Sequence, residues 1–248
     1  AMERDYGVWK FSGKEKAKLI LSFLGLCGLV SWLFYHSFWA VLPFLAGFPV
    51  FLKKSREKRI KERREELLTE FLTGIRAIAS ALDAGYSMEN ALGEALKETE
   101  KVYGMDGVFT EELREMERKR NLNQSMETLW ADLGKRSGLE DIENFGEIFQ
   151  VARRSGGNLK EIIQSTADNI TRKTETRREI EISLAAKKME QKVMSAVPFF
   201  ILAYVDLGSP EFLEDLYHNT LGIFIMTACL GLYLAAFFWG RRIVEIEV

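Results

Sequence analysis

The residues able to do chemistry are few, and their spacing does not assemble a reaction centre. Two histidines, His36 and His218, and two cysteines, Cys27 and Cys229, stand in a chain of 248 residues. Neither histidine lies near a plausible nucleophile, and the cysteines lack metal-ligand spacing, so no zinc set or Ser–His couple can be built from them. Ser12-Gly13-Lys14-Glu15 is the nearest approach to a phosphate loop. It lacks the first glycine and the Ser/Thr that would hold Mg²⁺, and reads as a basic linker. Gly156-Gly157 has no strand before it and no lysine in its loop, and reads as a helix-hairpin turn. Glu140, Asp141, Glu143 and Glu147, or Glu98, Glu100 and Asp106, would supply oxygen ligands of the kind Ca²⁺ takes, but neither set has EF-hand spacing. Solvated helix faces are the better reading. The chain is expected not to be an enzyme, with no cofactor and no metal.

The elements that hold these residues are set by an uneven charge distribution. Residues 19–52 and 219–240 contain no Asp, Glu, Lys or Arg, although the net charge is only -2. A helix crossing a hydrocarbon core of ~30 Å needs about 20 apolar residues. The run 19–52 is long enough for two short spans joined near Tyr35-His36-Ser37, where Trp32, Tyr35, Phe38 and Trp39 suit a lipid–water interface. Val193–Leu207 and Leu221–Gly240 read as two more. A cleaved signal peptide is the competing reading of the first run, but no small-residue cleavage pattern follows it. Eight of the residues 53–64 are basic, namely Lys53, Lys54, Arg56, Lys58, Arg59, Lys61, Arg63 and Arg64, whereas Asp206–His218 carries four acids and no Lys or Arg. The positive-inside rule then places both termini and the central insert in the cytoplasm.

The expected organisation is an all-α membrane protein with four transmembrane helices. It has a cytoplasmic N-terminal segment (1–18), a membrane hairpin (19–52) and a cytoplasmic helical-bundle insert (53–192). Two spans with a short acidic outer loop (193–240) and a cytoplasmic tail (241–248) follow. Ala1-Met2 suggests that further residues precede the chain. Within the insert, apolar residues recur every three or four positions: Leu68, Phe71, Leu72, Ile75; Met88, Ala91, Leu92, Ala95; Met126, Leu129, Trp130, Leu133; Ile142, Phe145, Ile148, Phe149, Ala152. From Leu159 the helical pattern runs without a clear stop to about Lys192.

Three turns look alike. Gly85, Asn123 and Gly156-Gly157 offer residues that tolerate the left-handed conformation, and Ser87, Ser125 and Asn158 are N-cap residues for the helices that follow. These seven are read as structural turn motifs. The basic run 53–64 has two compatible readings: anchoring against anionic lipid headgroups, worth ~1 kcal/mol per residue near the surface, and docking of a cytoplasmic partner. Nucleic-acid binding is disfavoured, because aromatic residues are missing from the run and acids soon follow it.

Ala84-Gly-Tyr-Ser-Met-x-x-Ala-Leu92, Ser125-Met-Glu-Thr-Leu129 and Phe145-x-x-Ile-Phe-x-Val-Ala-x-x-Ser-Gly-Gly-Asn-Leu159 together resemble the F domain of type II secretion and type IV pilus inner-membrane platforms. Two spans before the module, two after it and Gly240-Arg-Arg-Ile243 look most like the TadB branch of tight-adherence (Flp) pilus assembly. The resemblance implies a bacterial inner-membrane protein without enzymatic activity that couples a cytoplasmic secretion ATPase to pilin extraction and polymerisation. It also implies a paired TadC-like platform protein or a homo-oligomer. A membrane-tethered scaffold without a motor is the alternative; it predicts a sizeable outer domain, and the outer segments here are short. A small transporter ranks behind both, since its spans would need charged groups.

Overall fold

The structure, a computed structural model, describes residues 5–37, 42, 45–155, 159–209, 217 and 219–244. Among them are eight helices of twelve residues or more and no strand: α1 (Gly13–Tyr35), α2 (Phe48–Asp83), α3 (Met88–Tyr103), α4 (Val108–Asn121), α5 (Met126–Ser137), α6 (Glu140–Ser155), α7 (Leu159–Gly208) and α8 (Thr220–Val244). The described residues of Ala1–Lys10 and Ser55–Glu175 form one compact unit, and those of Phe11–Lys54 and Thr176–Val248 a second. Helices α2 and α7 each have one part in either unit.

In the first unit α3 packs on α4, α4 on α5 and, most extensively, α5 on α6, each pair joined by a short connection. Ring stacking holds the centre. Phe71 of α2 meets Phe109 of α4 edge-on at 5.4 Å and Phe145 of α6 at 5.4 Å, and Trp130 of α5 meets Phe145 at 4.9 Å. Ile163, Ala167 and Ile170 of α7 close the core. Met88, Leu92, Trp130 and Leu133 are all buried, whereas Ile148, expected on the apolar face of α6, is 41% exposed. Helix α4 begins at Gly107, which has no side chain to cap it. The buried carboxylate of Glu70 on α2 does so instead, accepting the Phe109 N–H at 2.8 Å, where the helix dipole favours negative charge.

In the second unit the last turns of α7 pack with α1 and α8. Phe199 sits between Phe34 of α1 (6.1 Å) and Tyr233 of α8 (5.2 Å), and the Tyr233 hydroxyl donates to the Ser195 carbonyl at 2.7 Å. Phe23 of α1 touches Phe48 and Phe51 at the start of α2.

Two points differ from the sequence reading. Only α1 and α8 are long and apolar enough among the described residues to cross a membrane, where four spans are expected. The run 19–52 is broken after Tyr35, and its second part leads into α2, which turns basic at Lys53; residues 38–41, 43 and 44 lie outside the described residues. Val193–Leu207 is the apolar end of α7, shortened by Lys192 and Asp206 and carrying Pro198, which removes a helical hydrogen bond. Second, the basic run, to which the residue pattern assigns no secondary structure, is part of α2. Lysine, arginine and glutamate are good helix formers, and Lys58–Glu62, Arg59–Glu62 and Lys61–Glu65 pair one turn apart.

The contact of α5 with α6 rests on a glycine. A Cβ at Gly134 would lie 2.8 Å from the Cα of Glu143, a backbone atom that cannot swing aside. Gly134→Ala is therefore expected to force the helices apart at a cost of ~1–3 kcal/mol. Gly93→Ala, whose Cβ would meet only the Glu117 carboxylate at 3.5 Å, should be neutral or slightly stabilising through helix propensity. Circular-dichroism melts of the full chain in detergent check both signs.

Candidate partner-docking end of the helical module

One end of the first unit gathers the ends of α2 and α4 and the starts of α3 and α5, and its turns share one chemistry. Gly85 has φ 87° and Asn123 φ 63°, both left-handed. Two residues on, the Ser87 hydroxyl accepts the Asn90 N–H at 3.3 Å and the Ser125 hydroxyl accepts the Thr128 N–H at 3.3 Å. A residue that reverses the chain is followed by a spacer and a side chain that satisfies a free helical N–H. Gly156, Gly157 and Asn158, the third turn of the sequence reading, lie outside the described residues.

Charged pairs tie these helix ends together. Arg153, in the last turn of α6, reaches Glu127 of α5 at 3.0 Å and Glu89 of α3 at 3.5 Å. Arg120 of α4 donates to the Glu89 carbonyl, and Lys160 of α7 pairs with Asp83 of α2 at 2.7 Å. All are partly exposed, so each pair contributes little alone and the network acts mainly by fixing the turns. Tyr86 and Leu122, next to the two left-handed residues, are 49% and 69% exposed. Tyr86 also borders a cleft of about 490 Å³ between α2 and α3, lined by Thr73, Arg76, Ser80, Glu94 and Glu98 among others. This end thus offers two apolar side chains on rigid turns within a ring of mixed charge. A protein partner can use such a surface.

The eight cations of the basic run do not form one face. Arg56, Lys58, Arg59 and Lys61 are exposed on α2 in the first unit, and Lys53 and Lys54 belong to the second, where Lys54 lies 5.6 Å over the Phe238 ring. Arg63 and Arg64 turn to structural work. Arg63 stacks on Tyr6 and Trp9, and Arg64 lies against Gly138, where any side chain would collide with its guanidinium. The acids weighed as cation ligands are partly spoken for as well. Asp141 pairs with Lys173 and Glu100 with Arg114, each at 2.7 Å.

Sequence reasoning missed Tyr6, which has no periodic apolar pattern around it. It is 2% exposed, and its hydroxyl donates to Glu112 of α4 at 2.8 Å. Arg136 of α5 holds the same carboxylate with two hydrogen bonds of 3.0 and 2.8 Å. Burial, then the charge and hydrogen bond of Glu112, push the Tyr6 phenol well above its ordinary range, against the smaller pull of Arg63 and Arg136. Burial works against the Arg136 cation, but Glu112 and then Asp132 outweigh it, and its proton is held more tightly than usual. A group whose folded pKa exceeds its unfolded one stabilises the fold below the unfolded pKa and loses that contribution as pH rises. The module should therefore lose stability above about pH 10, where unfolded tyrosine ionises. Tyr6→Phe should flatten this dependence, which melts recorded from pH 8 to 11 can read.

Residues 75–206, more than half of the chain, match the family model of the type II secretion system (T2SS), protein F. The match runs from the second half of α2 to the apolar end of α7. No curated protein and no solved structure matches the chain.

Proposed function

This chain belongs to the type II secretion system protein F family and is a membrane protein, and from that footing we propose that it is an inner-membrane platform coupling a cytoplasmic secretion ATPase to pilin extraction and polymerisation. The order of the turn motifs and the Gly240-Arg-Arg-Ile243 tail favour a tight-adherence (Flp) machine of the TadB type within this family. The observation that carries the reading is α7. Its first turns place Ile163, Ala167 and Ile170 in the core of the first unit, and the same helix ends with Phe199 among the rings of α1 and α8. Force applied to a helical module needs a continuous element to reach the membrane, and an unbroken helix is stiff.

On this reading α1 and α8 lie in the inner membrane, packed with the apolar end of α7. Both termini and the first unit are cytoplasmic. The motor engages the end bearing Tyr86 and Leu122, and a TadC-like platform protein or further copies of this chain complete the ring. The exposed cations Arg56, Lys58, Arg59 and Lys61 rest on anionic headgroups.

A flexible Gly-Ser pair inserted after Thr174 is expected to abolish pilus assembly in cells while membrane insertion stays normal; wild-type piliation would remove α7 as the transmission element. Tyr86→Asp with Leu122→Asp should reduce co-purification of the secretion ATPase about tenfold or more, the loss expected when interface anchors are removed. Unchanged recovery of the ATPase would move the docking face elsewhere.

A further inference from the structure

We propose that residues 5–10 form a releasable strap, with Tyr6 as a plug in a socket that α2, α4 and α5 build for it. The strap holds by a single buried residue. Tyr6 is 2% exposed, whereas Asp5, Gly7, Val8 and Lys10 are exposed and Trp9 is half-buried. The Tyr6 N–H donates to the Arg136 carbonyl at 3.0 Å and its hydroxyl to Glu112 at 2.8 Å, while the Arg63 guanidinium covers both the Tyr6 and Trp9 rings at about 5.5 Å. Gly7 turns the chain back over Asp5, whose carboxylate accepts the Gly7 N–H at 2.7 Å. The indole N–H of Trp9 is buried without an acceptor, so its docking is incompletely satisfied.

The socket does not need its plug. Both oxygens of Glu112 are held by Arg136, and Arg136 has a second carboxylate in Asp132 at 2.8 Å. Withdrawing Tyr6 therefore leaves no unpaired buried charge, the condition that makes loss of a partner so destabilising elsewhere. A segment whose departure strands no charge can open locally while the helices stay packed.

Its place in the chain gives this opening a consequence. The chain passes between the two compact units at residues 10–11, 54–55 and 175–176. The second crossing lies inside α2 and the third inside α7; the first lies outside any helix, just ahead of α1. Docking of Tyr6 decides whether that first connection is anchored to the module or slack.

Hydrogen exchange of the full chain in lipid nanodiscs, read on peptides covering residues 5–10 and 129–133, tests the strap directly. The Tyr6 and Gly7 amides should be protected, yet exchange at least about tenfold faster than the amides of Leu129–Leu133, as local opening requires. Tyr6→Phe should speed the strap further and leave α5 unchanged. Exchange of the strap at the rate of α5 would show that it opens only with the whole module, and exchange at the free-peptide rate would show that it never docks. Either result overturns the proposal. So does a Tyr6→Phe chain in which the strap is unaffected, or in which strap and α5 accelerate equally. The wild-type comparison needs no variant to fold.

Discussion

Phe71 presents its ring to Phe109 on one side and Phe145 on another, with Trp130 within 6.2 Å, so that α2, α4, α5 and α6 share one apolar contact. The module is rich in charge, and its helices alternate with turns that contribute almost nothing to burial. Without this cluster each helix would keep a narrow stripe that no neighbour covers. Substituting a ring of this kind by alanine costs ~3–5 kcal/mol in other cores, a large share of what holds a domain of this size together. The close approach at Gly134 serves the same centre, because it lets α6 bring Phe145 and Phe149 up to Trp130.

Around that core the charges divide by end. At the turn end they are half-exposed pairs that hold helix termini in register while leaving Tyr86 and Leu122 outward. Near Tyr6 they are buried: Glu70 caps α4, and Glu112 is clasped by Arg136 beneath the tyrosine. The two ends therefore behave differently. One is a rigid surface whose side chains remain available, and the other is a satisfied network on which a short segment rests.

Much of the architecture was legible in residue spacing, for physical reasons. Stripes such as Met126, Leu129, Trp130 and Leu133 must face a core whatever the fold, and a left-handed Gly85 or Asn123 ahead of a serine cap follows from local sterics. Ile148 was misjudged because the buried face of α6 is fixed by Ile142, Phe145, Phe149 and Ala152; a residue adjacent to Phe149 sits about 100° away around the helix. The helix through Lys53–Arg64 carries no apolar period, so only its ion pairs reveal it. Tyr6 and Glu70 act through partners far along the chain, and Gly134 through the backbone of the next helix; a single sequence holds no trace of such pairings. The run 19–52 shows enough hydrophobicity for two spans but not where its backbone breaks.

The central claim is that α7 is one stiff element from the module to its apolar end. A pair of spin labels at Arg172, in the first unit, and Met194, in the second, both exposed, reads this directly in the full chain with Cys27 and Cys229 replaced by serine. A continuous helix predicts one narrow distance distribution near ~33 Å in nanodiscs, at a rise of ~1.5 Å per residue and before the length of the labels is added. A broad or two-peaked distribution would mean that the helix breaks between these positions, and would contradict the account.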